Sequence, residues 1–122
     1  KNGTFERVRL QEILNYIATD FHKSHFPFFS SECGEQTKAV YTKKIHAAYD
    51  HLSSKLQNNP YLMGDHFTVA DAYAFTVINW HKFINFDLSA WPVLVAYQKR
   101  IAERPAVQAT MQAEGLLDKK AA

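Results

Sequence analysis

Residues 66–75 read HFTVADAYAF. They set one carboxylate, Asp71, in a run otherwise made of Phe67, Val69, Ala70, Ala72, Tyr73 and Phe75 with few polar neighbours. A lone acid in such company is a catalytic group, a metal ligand or a device that starts a helix, and the spacing decides for the last. In T-x-x-D the hydroxyl of Thr68 accepts from the N–H of Asp71, while the Asp71 carboxylate reaches back to the N–H of Thr68. These are two of the four N–H groups that a helix start leaves without partners. The acid also lies at the positive end of the helix dipole. A helix is therefore expected from about Thr68 to Ile84, apolar nearly all the way round, as in a helix buried at the centre of its domain.

Four further helices surround that centre. Between Phe5 and Phe26, Leu10, Leu14, Ile17 and Phe21 fall at i, i+4, i+7 and i+11 and mark one helix face, with Pro27 as its stop. From Glu35 to Leu56 the same period links Tyr41, Ile45, Ala48, Leu52 and Leu56, and Asn58-Asn59-Pro60 ends it. Ser89 is placed to cap a helix that carries Pro92 in its first turn and runs to Arg104. Pro105 opens a last short helix that Gly115 closes. No segment keeps strand alternation for long, so the expected fold is all-α: one domain, residues 1–122, a bundle of about five helices.

Composition narrows the function classes. Hydrophobic residues make up 47% of the 122, enough for a real core in one domain. The net charge is only +2, and the charges alternate instead of forming a basic stripe, so nucleic acid is not an expected partner. No apolar run approaches the roughly 20 residues of a membrane span, so no membrane is expected either. Cys33 is the single cysteine and cannot form an internal disulfide, which favours a reducing compartment, the cytoplasm, over secretion. The chain opens on Lys1 instead of methionine, and an upstream portion is expected.

On the first helix, Asn15, Thr19 and His22 share a polar stripe beside the apolar one. Such a stripe is either a solvated face or the wall of a cleft. As a wall, His22 and Lys23 can hold an anionic ligand, and an imidazole exchanges protons near neutral pH. Phe26, Phe28, Phe29, Trp80 and Phe83 are either plain core or a greasy wall for an apolar ligand. His22 and His25, three apart, can reach one metal, but two ligands are too few, and no metal site is expected among these and His46, His51, His66 and His81. Cys33 lies in the turn SSECGE and not at a helix start after a strand, so nothing marks it as a reactive thiol.

YLMGDHFTVADAYAFTVINW, residues 61–80, resembles the corresponding segment of the C-terminal domain of cytosolic glutathione transferases. LNYIATDFHK, residues 14–23, resembles the bacterial beta class, and AERPAVQATMQAEGL, residues 102–116, its last helix. The resemblance implies a C-terminal helical domain that contributes the electrophile site, part of the glutathione site and the dimer interface of a homodimeric detoxification enzyme. It implies glutathione as cosubstrate and a hydrophobic electrophile as second substrate. It places Asn15, Thr19, Asp20, Phe21, His22, Lys23 and Trp80 in or near the glutathione site, with His22 in the catalytic role and the Thr19–Asp20 segment near the subunit interface. The family's thiol-activating group belongs to a thioredoxin-like N-terminal domain absent from this chain, so the chain alone is expected to be inactive. The sequence departs from the beta-class pattern at His25, where an aromatic residue is expected, and at Ala72, where a larger side chain would staple the helix start to Phe67. The competing expectation is a non-catalytic binding or scaffold domain of the same fold.

Overall fold

A computed structural model describes residues 2–117. Helices α1 (Phe5–Tyr16), α2 (Phe26–Phe29), α3 (Glu35–Leu56), α4 (Val69–Asn79), α5 (Pro92–Ala102) and α6 (Pro105–Ala113) make an all-α bundle as expected, with no strand among the described residues. The core is formed where Ile13, Ile17 and Phe21 meet Ile45, Tyr49 and Leu52 of α3, Ala74, Val77 and Ile78 of α4, and Leu94, Tyr97 and Ile101 of α5. α4 touches α1, the segment that follows α1, and α5, so the central position expected of it is observed.

The first expected helix, Phe5 to Phe26, is not one α-helix. After Tyr16 the chain winds as a π-helix over Ile17–His22 and a 3₁₀ turn over Lys23–His25, and only then as the short α2. Its buried residues explain the widening: Ile13, Ile17, Phe21 and His25 are all in the core, each four residues from the last. On an α-helix with 3.6 residues per turn, three such steps would carry the last residue roughly 120° round the axis and out of the core. The wider π turn keeps them in line. Pro27 does not stop a helix here; it sits in the first turn of α2, where its missing N–H costs nothing.

Two other expectations are corrected. Ser89 does not cap α5, because its N–H and hydroxyl both donate to the Asp87 carboxylate, at 2.8 and 2.7 Å, and Trp91 holds the cap position without a side-chain bond. Trp91 is fixed instead by donating to Asp50 of α3 at 2.7 Å. Nor is α4 buried all round: Val69, Ala72 and Thr76 are exposed along one edge.

The capping box at Thr68 and Asp71 is present in full. It also does more than start a helix. Asp71 is 0% exposed, and both of its oxygens are occupied. Oδ2 accepts from the N–H of Thr68 at 2.8 Å and from its hydroxyl at 3.2 Å. Oδ1 accepts from the N–H of Leu62 and from the hydroxyl of Tyr97, each at 2.9 Å. Burial first, and then the Asp71 charge, raise the Tyr97 pKa far above the usual phenol value, so that hydroxyl remains a donor. One carboxylate thus ties α4 to α5 and to the turn at residues 61–64. That turn is closed by two backbone bonds between Tyr61 and Gly64, of 3.0 and 3.1 Å, and it needs the glycine because φ there is 107°. The small Ala72 offers only a methyl group to a staple. Phe67 is held by the ring of Tyr61, 5.9 Å away, and by the Arg104 guanidinium 4.1 Å above it.

Asp71→Ala leaves the Leu62 and Thr68 N–H groups and the Tyr97 hydroxyl buried without acceptors, and should destabilise the domain by about 3–5 kcal/mol in urea unfolding. The Tyr49 hydroxyl offers the opposite case, since it is buried with no hydrogen-bond partner among the described residues. Tyr49→Phe should therefore match or exceed wild-type stability, within about 1 kcal/mol. A loss of several kcal/mol for Tyr49→Phe, or none for Asp71→Ala, would contradict this account.

Candidate functional site

The π segment turns His22 toward α4. Its Nδ1 lies 2.6 Å from the hydroxyl of Tyr73, and its ring stands edge-on to the rings of Tyr73 and Trp80, with centroids 5.7 and 4.8 Å apart. Tyr73 and Trp80 are seven residues apart, about two turns, and so share one face of α4 and its 3₁₀ extension Trp80–Lys82. Trp80 also meets His25 at 5.5 Å and Phe29 at 5.6 Å. The result is a half-buried aromatic cluster with one imidazole held in a fixed plane. Tyr73 was not among the residues expected from the sequence, although its spacing from Trp80 carried the signal.

The other expected residues separate into three kinds. Asn15, Thr19, Asp20 and Lys23 are exposed. The Thr19 hydroxyl lies 2.8 Å from the Asn15 carbonyl and 2.7 Å from Asp20 Oδ2, so its single proton holds the backbone turn and the carboxylate together. Phe21 is 0% exposed and packs on His25 and Tyr49, so it supports the segment from inside and has no surface to offer a ligand. His22 and Trp80 are brought together; among the described residues no side-chain hydrogen bond or ring contact joins them to the Asn15–Thr19–Asp20 group.

His25 occupies the place where an aromatic residue was expected, and its ring serves as one, edge-on to both Phe21 and Trp80. It is fully buried, and its Nδ1 lies 2.8 Å from the Phe21 carbonyl. A carbonyl only accepts, so Nδ1 carries the proton, and the Nε2 lone pair is left buried without a partner. Burial lowers the pKa of this imidazole, the nearby titratable ring of His22 adds to the shift, and hydrogen bonds to the backbone of Phe21 and His22 work against it. No group of three candidate ligands occurs among the described residues.

The aromatic residues expected at an apolar wall also divide. Phe28 packs on Phe86, with centroids 5.0 Å apart. Phe26 is 69% exposed and Phe83 66% exposed. Phe83 and Trp80 line an open groove of about 410 Å³ between α4 and α6, together with Ala72, Thr76, Val107 and Met111. The exposed edge of α4 thus forms one wall of a largely apolar cleft, and Trp80 belongs to both the cleft and the His22 cluster. Lys82 and Arg104 lie at the same groove. Cys33 precedes α3 and is not among the residues that line the groove.

The family described as "Glutathione S-transferase, C-terminal domain" matches residues 14–105. The chain is 34% identical over 114 residues to the glutathione S-transferase GstA of Escherichia coli O157:H7, covering 93% of this chain and 57% of that protein. Among solved structures, a glutathione transferase of Methylococcus capsulatus superposes with a TM-score of 0.93 at 44% identity, covering 96% of this chain and 58% of that one. Two sphingomonad enzymes cover the same shares: the beta-class transferase of Sphingomonas chungbukensis (TM-score 0.90, 35% identity) and a transferase complexed with glutathione (TM-score 0.89, 32% identity). The chain therefore spans little more than half the length of these relatives.

The buried, neutral His25 links stability to pH. Its folded pKa is depressed, so below the ordinary imidazole value of about 6.5 the unfolded chain binds the extra proton and the folded chain resists it. The stability is complete above that value and is lost as pH falls through it toward the folded pKa. His25→Phe keeps the ring contacts and removes this titration. The drop in urea midpoint between pH about 7.5 and about 5 should shrink in His25→Phe relative to wild type; an equal drop in both would place the acid sensitivity elsewhere.

Proposed function

Because the chain belongs to the glutathione S-transferase C-terminal domain family, we propose that it is the helical domain of a glutathione transferase. The observation that carries this reading is the clamped His22 imidazole beside Trp80, which also lines an apolar groove. An imidazole with a free nitrogen suits the thiol region of glutathione, and the groove suits a hydrophobic electrophile. His22, Trp80 and the exposed Asn15, Thr19, Asp20 and Lys23 are the candidate glutathione contacts, with Phe21 as internal support. Relatives of greater length, one of them complexed with glutathione, favour the same assignment.

In this reading residues 1–122 are the C-terminal domain, and a thioredoxin-like domain supplies the group that activates the thiol. The reaction is attack by the glutathione thiolate on an electrophilic carbon. A carbon–sulfur bond forms, and the leaving group departs with its electron pair. The helical domain contributes by holding both reactants together and by stabilising the anionic sulfur. A homodimer in the cytoplasm completes the proposal, and the exposed Phe5 and Val8 of α1 and Val40 of α3 are apolar surface available to a second subunit.

The test is steady-state conjugation of a chloronitroarene by the two-domain protein. His22→Ala should lower kcat/KM by about tenfold or more, and residues 1–122 alone should not turn over. Wild-type kinetics in His22→Ala would remove the imidazole from the site. A two-domain protein without any transferase activity would favour the scaffold reading.

A further inference from the structure

The proposed glutathione site leaves open what the imidazole of His22 does there, and the inference that follows rests on that site. We propose that Tyr73 is a positioning residue that holds His22 as the neutral tautomer protonated on Nε2, so that the imidazole meets its ligand as a hydrogen-bond donor.

Relative donor and acceptor strength decides the direction of the bond. The Tyr73 hydroxyl and His22 Nδ1 lie 2.6 Å apart, within hydrogen-bond range, and a phenol O–H is a stronger donor than a neutral imidazole N–H, as an imidazole nitrogen is a stronger acceptor than a phenol oxygen. The phenol therefore donates and Nδ1 accepts. A neutral imidazole that accepts at Nδ1 carries its proton on Nε2. Among the described residues no hydrogen bond reaches Nε2, while the ring plane is fixed by edge contacts to Tyr73 and Trp80. The neighbouring His25 does not compete for the phenol, because its own Nδ1 is taken by the Phe21 carbonyl. The free group is thus an oriented N–H.

Such a group stabilises a thiolate or a carboxylate, and it has no lone pair on that nitrogen to accept a thiol proton. His22 is accordingly an anion-binding donor and not the base that ionises glutathione. Tyr73 reaches the ligand only through this ring, from 51 residues along the chain.

Long-range ¹H–¹⁵N imidazole correlations on the ¹⁵N-labelled 122-residue chain test the tautomer directly, without glutathione. At a pH where the ring is neutral, His22 should have a protonated Nε2 and a bare Nδ1. In Tyr73→Phe, which keeps the ring contact, the preference should relax toward a mixture. Glutathione titrated into the two-domain protein should bind roughly three- to tenfold more weakly to Tyr73→Phe than to wild type. A wild-type ring protonated on Nδ1, or a tautomer unchanged in Tyr73→Phe, would overturn the proposal, as would unchanged glutathione affinity. If wild-type two-domain protein binds no glutathione while the tautomer behaves as stated, the transferase reading fails and the role of Tyr73 in orienting His22 stands.

Discussion

The structure depends on one buried carboxylate. An acid with no exposed surface is tolerated only when its oxygens are fully hydrogen-bonded, and Asp71 meets that condition with donors from three parts of the chain. The same bonds that satisfy the acid fix the turn at residues 61–64, the start of α4 and the position of α5. A capping box on a surface helix would specify a boundary. Here it specifies how three segments meet, because the acid was placed inside and the Leu62 N–H and Tyr97 hydroxyl had to come to it.

With its start fixed, α4 can serve three environments at once. Ala74, Val77 and Ile78 fill the core. Tyr73 and Trp80 face the segment after α1 and hold His22. Val69, Ala72 and Thr76 remain exposed, and the last two line the groove shared with α6. A helix apolar nearly all round is usually read as wholly enclosed. In this domain part of that apolar circumference is instead the wall of a cleft.

The segment from Ile17 to His25, which presents His22, is not regular. Keeping Ile17, Phe21 and His25 in the core at four-residue steps forces the helix to widen, and a widened turn is where helices often hold functional groups. Ser24 and His25 each place a side-chain bond on a backbone carbonyl four residues earlier, at 2.5 and 2.8 Å, which supports the altered winding. His25 acts as an aromatic side chain and as a carbonyl partner together, so the substitution of a histidine for a purely aromatic residue has a structural use, at the expense of one orphaned nitrogen.

The family resemblance pointed to His22 and Trp80 as candidates, and by itself the sequence determined the class of fold, the capping box, the stripe of α3 and the proline-led starts of α5 and α6. Each of these is a local property, set by periodicity, by proline or by a side chain reaching its own backbone, and local rules apply before the chain folds. The π winding, the failure of Ser89 to cap, the exposure of one edge of α4 and the pairing of His22 with Tyr73 were decided only by the tertiary structure. They follow from which residues the core demands and which donor lies nearest once distant segments are packed: Phe21 and His25 were drawn inward, Asp87 captured Ser89, and Tyr73 came within reach of His22. Spacing along one helix cannot reveal a partner on another.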